Sequence, residues 1–157
     1  MLELNEIEAL LPHARSWLMI DRVVGWQLGH HIHVQKRFAA SDPLVAAHFA
    51  QCPRIVPGVL LIEMVGQAAH LLSRLSAGDS LSPDEQQRDF AQALVDCKAR
   101  FMAPAFAEDL LEAHVTVETT VRQVTFHKGT VLSGKKEICR VQLSGTPVDL
   151  STWGSRN

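Results

Sequence analysis

Apolar and polar positions follow two different periods along this chain, and each change of period marks an element. In residues 31–38, Ile32, Val34, Lys36 and Phe38 alternate with His31, His33, Gln35 and Arg37, the two-residue period of a strand with unlike faces. The β-rich stretch "SWLMIDRVVGWQ" precedes it, and only "LGH" lies between them, so the two are expected to pair as a hairpin. Upstream, "LELNEIEALL" carries good helix formers behind no strong cap and stops at Pro12, which predicts a short amphipathic helix.

Residues 57–77 change period. Val59, Leu60, Ile62, Met64, Val65, Ala68, Ala69, Leu71, Leu72 and Leu75 cover most of a helical surface, with Pro57 in the favoured first turn. Only Glu63, Gln67, His70 and Arg74 interrupt it, at offsets of 4, 3 and 4 that place them in one stripe. The polar "AGDSLSPDEQQRD" then reads as a loop. Period two returns in "LLEAHVTVETTVRQ", where Leu111, Ala113, Val115 and Val117 oppose Glu112, His114, Thr116 and Glu118. "LVDCKARFMAP", "VTFHKGTVLS" and "EICRVQLSG" supply further strands, "SGKK" a turn, and residues 146–157 a loose tail. The predicted fold is α+β: an antiparallel sheet of about five or six strands around one long central helix.

Composition narrows the class. At 157 residues and 46% hydrophobic, the whole of 1–157 is expected to form a single domain with a real core. Apolar runs fall far short of a membrane span, and "MLELNEIEALL" is acidic where a signal peptide would be basic, so a soluble, cytoplasmic protein is expected. A formal charge of −2 without blocks of one sign gives no support to nucleic acid as a partner. Cys52, Cys97 and Cys139 have no metal or disulfide spacing and read as small buried apolar residues. In "HHIH", His31 and His33 share a strand face, but two ligands are too few for a metal, and no metal is expected.

Glutamate is almost never buried without a partner, so Glu63 in so apolar a helix needs solvent or a job. Three blocks decide which. "LPHARSWLMIDRV", "HFAQCPRIVPGVLLIEMVGQAA" and "KARFMAPAFAED" resemble, in order, the signatures of the FabZ-type (3R)-hydroxyacyl-acyl-carrier-protein dehydratases of the hotdog superfamily. The chain departs from that pattern at Arg15 and Ser16, where an aromatic and a proline are usual. It departs again at Ala47, through an interval from His48 to Pro57 one residue longer than usual, and at Ala107 and Glu108 in place of proline and glycine.

The resemblance implies a curved sheet wrapped around the central helix, and dehydration of 3-hydroxyacyl thioesters in fatty acid or related polyketide synthesis. Elimination of water needs a base at the α-carbon, an acid for the hydroxyl and a donor for the thioester oxygen. By resemblance His48 is the base and Glu63 the acid. Gly58 and Val59 would bind substrate, the Gly58 amide as donor at the helix start, and Gln67 would hold Glu63. His70 and Arg74 read as surface. No cofactor is implied, because phosphopantetheine arrives on the acyl carrier protein. A homodimer is implied too, with the histidine of one chain and the glutamate of the other building each site. Arg54, Lys98 and Arg100 are candidates for docking an acidic carrier. A hotdog thioesterase and a non-catalytic, acyl-binding hotdog subunit are the competing functions.

Overall fold

The computed structural model describes residues 1–49, 51–52, 54–78 and 90–150. Its elements run β1 (Leu2–Glu3), α1 (Leu4–Leu10), a 3-10 turn (Arg15–Trp17), β2 (Arg22–Gln27), β3 (His31–Lys36) and α2 (Pro43–Ala46). They continue through α3 (Gly58–Ala77), β4 (Phe90–Phe101), β5 (Leu111–Val121), β6 (Val124–Ser133) and β7 (Lys136–Asp149). Among the described residues, seven strands form one sheet in the order β1-β2-β3-β5-β6-β7-β4, every pairing antiparallel. The predicted loop lies, from residue 79 to 89, outside the described residues.

The helix α3 packs across one face of the sheet. Leu60, Leu61, Met64, Leu71 and Leu72 are buried there, at about 1.5–3 kcal/mol for each large apolar side chain taken from water. The expected alternation places Ile32 and Val34 of β3 and Leu111, Ala113 and Val115 of β5 in the same core. Gly129 of β6 permits close approach: a Cβ there would lie 2.4 Å from Val65 Cγ1 and 2.9 Å from Cγ2.

Several local expectations are corrected. The first helix is capped after all, because Glu3 and Glu6 form a reciprocal capping box. Pro57 is the N-cap of α3 rather than its first residue. Residues 146–149 are not tail but the end of β7, with Pro147 opposite Gln92 and Asp149 opposite Phe90. The β6 ladder on β7 ends at Gly145, so Pro147 lies where β7 has a neighbour on one side only and its missing N–H costs nothing. Residues 151–157 lie outside the described part. Cys52 is exposed, while Cys139 is buried and its thiol is pushed up to about 11 by desolvation and the nearby Glu137.

Candidate active site

Glu63 sits in the second turn of α3 with three side chains around one of its oxygens. Gln67, one turn on, donates from Nε2 to Glu63 Oε1 at 2.9 Å, and the Trp17 indole N–H donates to the same atom at 3.2 Å. His13 Nε2 lies 3.6 Å from it. Oε2 has none of these contacts, so a proton on this carboxyl group resides on Oε2. Burial holds the His13 imidazole below its ordinary pKa, with the Glu63 carboxylate pulling the other way.

Gln67 is 1% exposed and fully used. Its Nε2 also donates to the Trp17 carbonyl at 2.8 Å, and its Oε1 accepts from Met19 N–H at 2.8 Å. The segment through Trp17 and Met19 is thereby tied to α3. Asp21, a few residues on, accepts from Lys36 Nζ and Arg37 N–H, both at 2.8 Å, which gives this acidic residue of the opening block a structural role.

His48 follows α2, whose start is fixed by Pro43 and by the Asp42 carboxylate accepting from Leu44 N–H. The His48 ring lies 4.0 Å, centroid to centroid, from Phe49, and Nδ1 is 3.2 Å from the Ile55 carbonyl. A carbonyl only accepts, so Nδ1 carries the hydrogen and the neutral ring leaves a lone pair on Nε2. The Ile55 segment is itself anchored: Val56 N–H donates to Ala105 O at 2.9 Å and Ala107 N–H to Arg54 O at 2.7 Å. Gly58 opens α3, where first-turn amides lack helical acceptors. A Cβ at Gly58 would stand 2.8 Å from the Phe101 ring, so the glycine lets β4 lie against the helix start. Val59 beside it is 68% exposed.

Within one chain the expected site is therefore in two parts. A pocket of about 130 Å³ brings together His13, Glu63, Gly66, Gln67 and His70, while His48, Arg54, Gly58 and Val59 lie toward the start of α3. His70, expected at the surface, is buried, with its ring 6.3 Å from that of His13. His13 and Trp17 are the residues that sequence reasoning missed as neighbours of Glu63, since contacts 46 and 50 positions apart carry no periodicity.

Lys98 and Arg100 are exposed on the sheet face opposite α3, as period two predicts. With Lys128 and Arg140 they line a groove of about 490 Å³. Lys128 is paired with Glu118 and Arg140 with Glu137; among the described residues Lys98 and Arg100 have no ion pair. Arg54 does not line this groove. On β3, His33 stacks on His114 of β5 at 4.0 Å and lies 3.3 Å from Glu112, so a carboxylate does approach this cluster, contrary to expectation. Among the described residues no three such groups are placed to hold a metal ion.

Comparison with known proteins identifies the family and the fold. The sequence model of the FabA-like domain matches residues 11–142. The chain is 35% identical over 142 residues to the 3-hydroxyacyl-[acyl-carrier-protein] dehydratase FabZ of Cronobacter sakazakii, and 34% identical over 142 residues to that of Salmonella arizonae, covering 90% of each chain in both cases. Among solved structures, the dehydratase heterocomplex ApeI:P from Xenorhabdus doucetiae superposes with a TM-score of 0.76 at 16% identity, covering 96% of this chain and 97% of that one. A hot-dog-like protein from Thermanaerovibrio acidaminovorans gives 0.63 at 15% identity, covering 83% and 90%. The fold is the hotdog fold.

Proposed function

The chain belongs to the FabA-like family, and on that premise we propose that it removes water from 3-hydroxyacyl thioesters carried on acyl carrier protein, releasing trans-2-enoyl thioesters in fatty acid biosynthesis. His48 Nε2 takes the α-proton as the Cα–H bond breaks. The thioester oxygen, gaining charge, accepts from the Gly58 amide at the helix start, where the dipole is positive. The Cβ–O bond then breaks, Glu63 Oε2 gives its proton to the departing hydroxyl, and the C–H electron pair becomes the new double bond. The chemistry closes with two side chains and one amide, and it calls on no cofactor beyond the phosphopantetheine of the carrier.

The observation that carries this reading is the pair of hydrogen-bond arrangements at His48 Nδ1 and Glu63 Oε1. Ile55 leaves His48 Nε2 free to accept, and the donors on Glu63 Oε1 leave Oε2 to hold a proton.

The two groups meet across a homodimer, with His48 of one protomer facing Glu63 of its partner. Among the described residues β4 is a twelve-residue edge strand paired only with β7. Leu94, Val95 and Phe101 along it are exposed, as is the following Met102. A long apolar edge of this kind is a template for a second copy. Among the described residues no helix is long and apolar enough to cross a membrane; we place the enzyme in the cytoplasm with its carrier.

The test is incubation with a 3-hydroxyacyl carrier protein, following the enoyl product by mass, with Glu63→Gln alongside. The wild type is expected to form enoyl carrier protein and the variant to lose 10²–10⁴-fold or more, as for removal of a general acid. Release of free carrier thiol without an enoyl product would make the protein a thioesterase, and no reaction at all would leave an acyl-binding subunit.

A further inference from the structure

We propose that Trp17 is a positioning residue for the reaction, its indole N–H fixing Glu63 Oε1 as an acceptor so that the catalytic proton stays on Oε2. This rests on Glu63 being the acid. An indole nitrogen is a donor only, so the sense of the 3.2 Å bond is unambiguous. The Trp17 side chain is 42% exposed, so packing alone does not account for its placement.

Its backbone is held from two sides before any substrate arrives. Arg15 in the same 3-10 turn donates to Asn5 Oδ1 at 2.9 Å and Glu8 Oε2 at 2.5 Å, and the Trp17 carbonyl takes one hydrogen of the Gln67 amide. With Trp17 and Gln67 both donating to Oε1, the two carboxyl oxygens are made inequivalent, and the acid presents one fixed proton instead of exchanging between two orientations.

Trp17→Phe keeps the ring and removes the donor. The expected result is a fall in kcat of about tenfold with KM changed less than about twofold. Donors to a carboxylate favour its charged form, so removing one is also expected to move the alkaline limb of the kcat profile upward. In the folded wild type, the ¹⁵N-labelled Trp17 indole resonance should titrate with pH, and that dependence should vanish in Glu63→Gln; this readout holds even where Trp17→Phe folds poorly. A Trp17→Phe enzyme with wild-type kcat and profile, or an indole resonance indifferent to Glu63, overturns the proposal while an inactive Glu63→Gln keeps the acid assignment. A Glu63→Gln enzyme with full activity removes both.

Discussion

Gln67 holds Glu63 at 2.9 Å with one hydrogen of the same amide that takes the Trp17 carbonyl with the other and Met19 N–H with its oxygen. A single buried side chain thus orients the Glu63 carboxyl group and ties the backbone at Trp17 and Met19 to α3. Gln67→Met keeps the length but leaves the Met19 N–H and the Trp17 carbonyl without this partner, at about 1–3 kcal/mol for each buried group left unsatisfied. Urea unfolding should show the loss as a lower midpoint with unchanged slope, and turnover should fall with it. A variant as stable and as active as wild type would make the bonds incidental.

The proposed sharing of each site between two protomers makes a prediction about mixed assemblies. His48→Ala and Glu63→Gln should each be nearly inactive alone. Refolded together in equal amounts they should recover about a quarter of wild-type activity, because half the dimers are mixed and each mixed dimer has one intact site. Absence of any recovery, with mixed dimers demonstrated by mass, would put both groups of each site in one chain.

Acid sensitivity should centre on buried imidazoles. His127 of β6 is 1% exposed; burial lowers its pKa, with the backbone of Thr125 opposing. The unfolded chain therefore binds the proton more readily, so the contribution of neutral His127 is full above the ordinary imidazole value of about 6.5 and is lost as pH falls below it. His127→Leu should be as stable as wild type or more so at pH 7, and should lose less stability on titration down to pH 5. Equal slopes in the two proteins would assign the acid sensitivity to other groups.

Carrier docking is tested on the exposed face. Reversing the charge of Lys98 and Arg100 together should raise KM for carrier-bound substrate and weaken its salt dependence, leaving turnover of a short N-acetylcysteamine thioester unchanged. Equal losses on both substrates would mean that these residues support the sheet.

The periods in the chain carried the architecture. Alternation in β3 and β5, the apolar surface of α3 and the turn at "SGKK" were legible because each depends on neighbours one, two or four residues away. Glu63, Gln67 and His48 were legible as a set because they lie in one signature block, "HFAQCPRIVPGVLLIEMVGQAA". The end of β7 was not legible, since Pro147 is a poor strand residue whose tolerance comes from the side on which β6 has already ended. The burial of His70 was missed because a stripe of polar residues has the same spacing whether it faces water or a pocket.

The sequence by itself determined the α+β class, the long central helix and the family, and it singled out His48 and Glu63 as the candidate base and acid. Tertiary structure alone decided which oxygen of Glu63 is held, which nitrogen of His48 is free and that His13 and Trp17 stand beside the acid. The reason is range: hydrophobic period and signature spacing are local properties of the chain, whereas a hydrogen bond between Trp17 and Glu63 joins residues 46 positions apart and exists only once α3 and the 3-10 turn are packed together.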